Sequence, residues 1–235
     1  MNWEQVIAMV YPHRCPVCDG IPEYGERICP ECEKKLAFIT EPVCKCCGKP
    51  LETEREEYCY DCGRHTHRYD SGKALLVYQG KIKDSLWRFK YQNRREYAWY
   101  YAAQTAARYG SWIRQRGIEV IVPIPLHKQR RRQRGYNQAE LYARHIGRML
   151  GIPVRAELLR RVRQTVPQKQ LNDVQRKNNL KKAFKCAPDI VQFKKILIVD
   201  DIYTTGSTID AAAETLKSAG VQQVFFACIS IGRGW

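Results

Sequence analysis

From residue 74 onward, apolar residues recur in two alternating rhythms. ALLVY (74–78), EVIVPIPL (119–126), KKILIV (194–199) and QQVFFACIS (222–230) are short runs rich in Val, Ile, Leu and Phe, as buried strands require. Between them the spacing turns helical. Ile82, Leu86 and Phe89 share one face, as do Trp99, Ala102, Ala106, Tyr109 and Ile113. Tyr142, Ile146, Met149 and Leu150 mark a further helix closed by Gly151, and Ile209, Ala212, Ala213 and Leu216 another ended by Gly220. Strands alternating with helices predict an α/β fold with a mostly parallel sheet.

Residues 1–67 follow a different rule, set by cysteine. Nine of the 11 cysteines precede residue 63, as Cys15-x2-Cys18-x10-Cys29-x2-Cys32 and then Cys44-x2-Cys47-x11-Cys59-x2-Cys62, with Cys46 left over. The second set repeats the first about 30 residues later, an internal duplication. A CxxC turn offers two thiolates to one metal, and two such knuckles close a tetrahedral four-sulfur shell with no open position. Two structural Zn2+ ions are expected, although the spacing leaves open which knuckles share an ion. Disulfides fit an odd cysteine count and four close CxxC pairs poorly. Cys46 reads as a spare or alternative ligand, and Cys228, inside an apolar run, as core. RHTHRYDSG (64–72) reads as a polar linker with His65 and His67 exposed, which places a zinc module at 1–67 and a second domain at 68–235.

Net charge is +16 and unevenly spread: residues 1–67 carry 8 Lys/Arg against 12 Asp/Glu, and residues 68–235 carry 32 against 12. The basic part suits a polyanion such as nucleic acid, or else a solvated surface. HKQRRRQRGY packs Lys128, Arg130, Arg131, Arg132 and Arg134 into seven residues, and the 160–185 window adds nine Lys/Arg against one acid. Tyr136, Tyr91, Trp87 and Phe89 lie near these charges and are candidates for stacking on bases, Tyr136 above all. No apolar run reaches the length of a membrane span, and MNWEQVIAMVYPHR lacks the pattern of a secretory signal, so a cytoplasmic protein is expected.

The chemistry concentrates in ILIVDDIYTTGST (196–208). In parallel sheets ligands bind beyond the carboxyl ends of strands. A loop running into a helix start offers unpaired amides to a phosphate. Gly206 permits a tight turn, and Thr204, Thr205, Ser207 and Thr208 can donate further hydrogen bonds. Asp200 and Asp201 suit the vicinal hydroxyls of a ribose with Mg2+ nearby. The plainer alternative is a turn followed by an ordinary helix cap. GxGxxG and GK[ST] motifs are lacking.

VDDIYTTGST resembles the phosphoribosyl pyrophosphate motif of type I phosphoribosyltransferases. VPIPL (122–126), RGYNQAELYA (134–143), RQTVPQKQL (163–171) and RKNNLKKAF (176–184), in that order behind a double zinc ribbon, resemble the ComF family. The resemblance implies a sheet of the type I phosphoribosyltransferase kind. It implies ribose contacts at Asp200 and Asp201, a 5′-phosphate at Thr204–Thr208, and pyrophosphate at the turn from Pro123 to His127. It implies a closing loop within 160–185, with Arg163, Gln164 and Gln168 as candidates. It further implies a role with incoming single-stranded DNA during natural transformation, beside a ComFA-like helicase and a DprA-like DNA-processing protein. The alternative is an active Mg2+-dependent phosphoribosyltransferase, for which the sequence offers no acceptor pocket or general base.

Overall fold

A computed structural model describes residues 12–162 and 183–232. Four strands form one parallel sheet: β1 (Ser71–Val77), β2 (Val120–Pro123), β5 (Lys195–Tyr203) and β6 (Gln223–Ile231), in the order β1-β6-β5-β2. The register pairs Val199 with Ala227 and Asp200 with Cys228, so Cys228 is core as expected. Two shorter strands, β3 (Leu159–Arg161) and β4 (Phe184–Cys186), form an antiparallel ribbon flanking residues 163–182. The basic window 160–185 therefore lies mostly outside the described residues, Arg163, Gln164 and Gln168 included.

Helices cover both faces. In chain order they are α1 (Pro30–Glu33), α2 (Tyr60–Arg64), α3 (Lys81–Tyr91), α4 (Tyr97–Gln115), α5 (Lys128–Arg134), α6 (Gln138–Leu150) and α7 (Ser207–Ser218). One apolar layer joins Leu75, Leu197, Val199 and Ala227 of the sheet to Phe89, Tyr101, Tyr142 and Ile146. The other joins Val122, Ile198 and Phe226 to Ile209, Ala213 and Leu216.

The helical faces of α3 and α7 are those expected, but α4 is rotated. Ala102 and Ile113 are buried as expected, whereas Trp99, Ala106 and Tyr109 are only half-buried, and Tyr97, Ala98, Tyr101 and Thr105 take the core stripe. The physical reason is that each inward tyrosine finds a hydroxyl partner: Tyr101 with Ser85 at 2.5 Å, and Tyr142 of α6 with Thr105 at 2.6 Å. Met149, expected inward on α6, is exposed, and Ala143 and Gly147 take the buried positions.

The cysteine-rich segment is built into this body. Residues 37–39 lie antiparallel beside β1, with the Ile39 amide donating to the Leu75 carbonyl (3.0 Å) and that of Val77 to Ala37 (3.0 Å). This covers the sheet edge that β1 would otherwise expose. Cys15, Val17, Ile28, Cys32 and Leu36 join the layer of α3 and α4, while Cys44, Cys47 and Cys59 join the layer of α7. The two cysteine sets thus sit on opposite faces of the sheet. Arg94 grips Asp19 with two bonds of 2.7 Å, and the Tyr97 hydroxyl donates to the same carboxylate at 2.6 Å.

The stretch 64–72 is accordingly docked, contrary to the expectation of a solvated linker. His65 is exposed, but the His67 side chain is only 6% exposed and pairs with Asp210 of α7 at 2.7 Å. The Arg68 amide donates to the same carboxylate at 2.7 Å, and the Tyr69 hydroxyl meets that of Tyr203 at 2.6 Å. Such docking contacts come from residues far apart in sequence, which is why local polarity misread the segment.

Candidate functional site

β5 does not end at its apolar run. It continues through Asp200 and Asp201 to Tyr203, so both carboxylates are held by a strand rather than by a loop. The loop Thr204–Gly206 then enters α7 at Ser207. Gly206 has φ +79, and a Cβ there would lie 2.4 Å from the Tyr203 hydroxyl, so only glycine makes this turn unstrained. The first intrahelical bond runs from the Asp210 amide to the Gly206 carbonyl (2.8 Å), and the amides ahead of it have no helical acceptor. Thr204 and Thr205 are exposed, and the Thr205 and Ser207 hydroxyls lie 2.8 Å apart.

Beside β5, β2 delivers Pro123–His127 to the same edge; the Ile124 amide donates to the Val199 carbonyl at 2.8 Å. His127 caps α5, its Nδ1 accepting from the Gln129 amide at 3.4 Å. The basic stretch is therefore a two-turn helix at the mouth of the site, and it divides. Arg130 and Arg134 line a cavity of about 180 Å3 together with Lys90, Asp200, Asp201 and Thr208. A wider hollow of about 560 Å3 adjoins it, lined by Lys90, Tyr91, Asn93, Arg130, Gln133 and Arg134. Lys128, Arg131 and Arg132 are exposed and do not line either cavity; Arg131 reaches Glu140 at 3.5 Å.

Lys90, in the last turn of α3, forms an ion pair with Asp201 in which the side chains are only 19% and 14% exposed. Burial opposes charge on Asp201, but the Lys90 ammonium outweighs it and holds that carboxyl below its usual range. Asp200 is pushed well up, by burial first and then by the neighbouring carboxylate; its Oδ1 accepts the Asp201 amide at 2.8 Å. The pair thus offers one firmly ionised carboxylate and one that is readily protonated.

Sequence reasoning missed Lys90, because a lysine in a helical last turn is usually solvated and only the packing of α3 aims it at β5. It also missed Gln138, whose Oε1 accepts from Arg134 at 2.6 Å while its buried Nε2 lacks a partner. The aromatic candidates separate as well. Trp87 and Tyr91 are 53% and 62% exposed with centroids 6.0 Å apart, and Arg134 stacks over Tyr91 at 4.8 Å. Phe89 is fully buried, and Tyr136 is buried with its hydroxyl on the Phe89 carbonyl, so neither is available to a base.

The cysteines fall into two sets in sequence order, Cys15/Cys18/Cys29/Cys32 and Cys44/Cys47/Cys59/Cys62, with the sulfurs of each set within 4.8 Å of one another. Cys18–Cys29 and Cys47–Cys59 are 3.8 and 3.6 Å apart. Zn–S bonds of about 2.3 Å give tetrahedral S···S edges of about 3.8 Å, so both sets fit zinc.

Residues 6–63 match the double zinc ribbon domain family, and residues 135–233 the phosphoribosyl transferase domain family. The chain is 38% identical over 108 residues to Competence protein F of Haemophilus influenzae, covering 45% of this chain and 47% of that protein. It is likewise 38% identical over 109 residues to the DNA utilization protein YhgH of Escherichia coli K12, covering 46% and 48%. The chain spans about half the length of these curated relatives. Competence protein ComFC of Bacillus subtilis aligns over 209 residues at 28% identity, 88% of this chain and 73% of that protein. A looser likeness, to the crystal structure of a purine phosphoribosyltransferase from Pyrococcus horikoshii, has a TM-score of 0.33 at 17% identity over 57% and 73% of the chains, and carries no argument. Among the described residues no helix is long and apolar enough to cross a membrane. The chain thus carries a double zinc ribbon match ahead of a phosphoribosyl transferase domain match, and it is similar to proteins named for competence and DNA utilization.

Proposed function

We propose that this chain is a ComF protein that handles single-stranded DNA in the cytoplasm during natural transformation, and that its sheet edge binds phosphoribosyl pyrophosphate with Mg2+. A ComFA-like helicase and a DprA-like DNA-processing protein are its proposed partners. One observation carries the ligand reading: Asp200, Asp201, Arg130, Arg134 and Thr208 share a single cavity at the C-terminal end of β5. In this reading Asp200 and Asp201 hold the ribose hydroxyls and the metal, and Thr204–Thr208 with the amides of α7 hold the 5′-phosphate. The Pro123–His127 turn and the two arginines hold the pyrophosphate, where bound Mg2+ would supply charge neutralisation. Lys90 must yield Asp201 to the incoming ligand, or follow it onto a phosphate. Two Zn2+ ions occupy the four-cysteine sets.

For DNA, the exposed Lys128, Arg131 and Arg132 supply phosphate contacts, and Trp87 with Tyr91 supplies a stacking surface. Because Arg130 and Arg134 border both cavities, DNA and the small ligand meet there. The test is calorimetric titration with phosphoribosyl pyrophosphate and Mg2+, with and without single-stranded DNA. Asp200→Asn, Asp201→Asn and Arg130→Ala/Arg134→Ala should weaken the small ligand, each lost charge-assisted bond being worth about 1.5–3 kcal/mol. Arg131→Ala/Arg132→Ala should spare it and flatten the salt dependence of DNA binding by up to about 1.4 units, at about 0.7 per contact. Absence of heat with the intact protein removes the ligand reading. A second reading, phosphoribosyl transfer to an unidentified acceptor, draws on the same arginines as leaving-group stabilisers, and release of pyrophosphate distinguishes it.

A further inference from the structure

Cys46 lies outside the two four-cysteine sets, yet it has company. Its sulfur, that of Cys62 and a ring nitrogen of His67 lie within 4.8 Å of one another. His67 Nδ1 faces Asp210 Oδ2 at 2.7 Å, whereas Nε2 is buried without a hydrogen-bond partner. An orphaned buried nitrogen has given up its hydrogen bond to water with nothing in return, so its retention calls for a ligand. A carboxylate on one nitrogen fixes the tautomer and leaves the other nitrogen's lone pair free, which is how metal-binding histidines are held. The Tyr69 ring stacks on the imidazole at 4.7 Å and sets its plane. A cavity of about 340 Å3, lined by Cys46, Tyr58, Cys62, His67 and Tyr69 among others, opens onto these groups.

We propose that Cys46, Cys62 and His67 form a third metal site for a thiophilic divalent ion such as Zn2+, bridged through the Cys62 thiolate to the ion of the Cys44/Cys47/Cys59/Cys62 set. The fourth position opens to the cavity and takes water or an outside ligand. Charge favours the bridge. One divalent ion on four thiolates leaves a net charge of minus two; two divalent ions on five thiolates and a neutral imidazole leave minus one, which is less costly in a partly buried place. Asp210, in the first turn of α7, acts as a positioning residue for His67 and ties this site to the helix that follows the Thr204–Gly206 loop.

The inference rests on the double-zinc reading of the four-cysteine sets, and the test separates the two. Full-length protein is saturated with Zn2+, washed with a graded weak chelator and weighed by native mass spectrometry. Wild type should hold three ions, and Cys46→Ser and His67→Gln two. Asp210→Asn should hold three but release one at about 10–100-fold lower chelator concentration. Iodoacetamide labelling of Cys46 should be blocked by the third equivalent of zinc. Two ions in wild type with Cys46 freely labelled in excess zinc, or three ions retained by Cys46→Ser, overturns the third site while leaving the other two standing. Fewer than two ions in the folded Cys46→Ser protein overturns the double-zinc reading and the third site with it.

Discussion

Replacing Lys90 by Met removes the ammonium that, among the described residues, pairs with Asp201, and leaves two adjacent, largely buried carboxylates at the end of β5. Breaking a buried pair from one side costs about 3–5 kcal/mol when the abandoned charge has no escape. Here it has one, because Asp201 can take a proton. With an ordinary carboxyl pKa of about 3.9 and 1.36 kcal/mol per unit, that escape caps the loss at about 5 kcal/mol at pH 7.5 and about 2 kcal/mol at pH 5.5. Exposures of 14% and 19% admit some water, which brings the expected loss to about 2–3 kcal/mol at pH 7.5 and under about 1 kcal/mol at pH 5.5. In wild type the folded pKa of Asp201 is depressed, so its contribution is present above about pH 4 and lost as pH falls through the folded value. In the variant that pKa rises, so the folded state binds a proton and loses stability as pH increases. Thermal unfolding with zinc present should show Tm lowered by roughly 4–12 °C at pH 7.5 and by much less at pH 5.5. Lys90→Met/Asp201→Asn should recover more than about 1 kcal/mol of the loss at pH 7.5. A loss that does not change with pH, or a double variant no better than the single, would refute the argument.

Gly206→Val should abolish binding of phosphoribosyl pyrophosphate and lower stability by about 2 kcal/mol or more, since a β-branched residue meets both the positive φ and the Tyr203 hydroxyl; calorimetry and a thermal melt check the two effects. Chelation of zinc should lower the melting transition of the whole chain and alter near-ultraviolet circular dichroism, because the cysteine sets pack into both apolar layers; a native transition for the α/β part after metal removal counts against this. Asp19→Ala should cost about 2–4 kcal/mol by urea unfolding, having left Arg94 and the Tyr97 hydroxyl without their acceptor. Burial opposes charge on Asp19, but Arg94 and Tyr97 hold its carboxyl below the usual range. The difference between wild type and Asp19→Ala should therefore be full at neutral pH and shrink as pH falls through that depressed value.

Much of this protein was legible in one dimension, for reasons of spacing. Strand and helix rhythms are local, so ALLVY, KKILIV and QQVFFACIS lie on strands of the parallel sheet but for one end residue each, and EVIVPIPL supplies Val120–Pro123 to another. The CxxC spacings delimit two tetrads because a knuckle is a short-range turn. The carboxylates of Asp200 and Asp201 and the glycine turn at Gly206 are contiguous, so they too could be read together. What is decided by contacts between distant segments could not. The buried stripe of α4 depends on the hydrogen bonds that pair the Tyr101 hydroxyl with Ser85 and the Tyr97 hydroxyl with Asp19, and periodicity alone turns that helix to the wrong face. The run from Lys128 to Arg134 is uniform in sequence, but as a helix it points Arg130 and Arg134 to the cavity and Arg131 and Arg132 away from it. Lys90 and Asp201 are 111 positions apart, as are no two residues within a single motif, and His67 reaches Asp210 across 143. Pairings of that range follow from how the sheet orders its strands and where the helices settle on it, and so only the tertiary structure could make them.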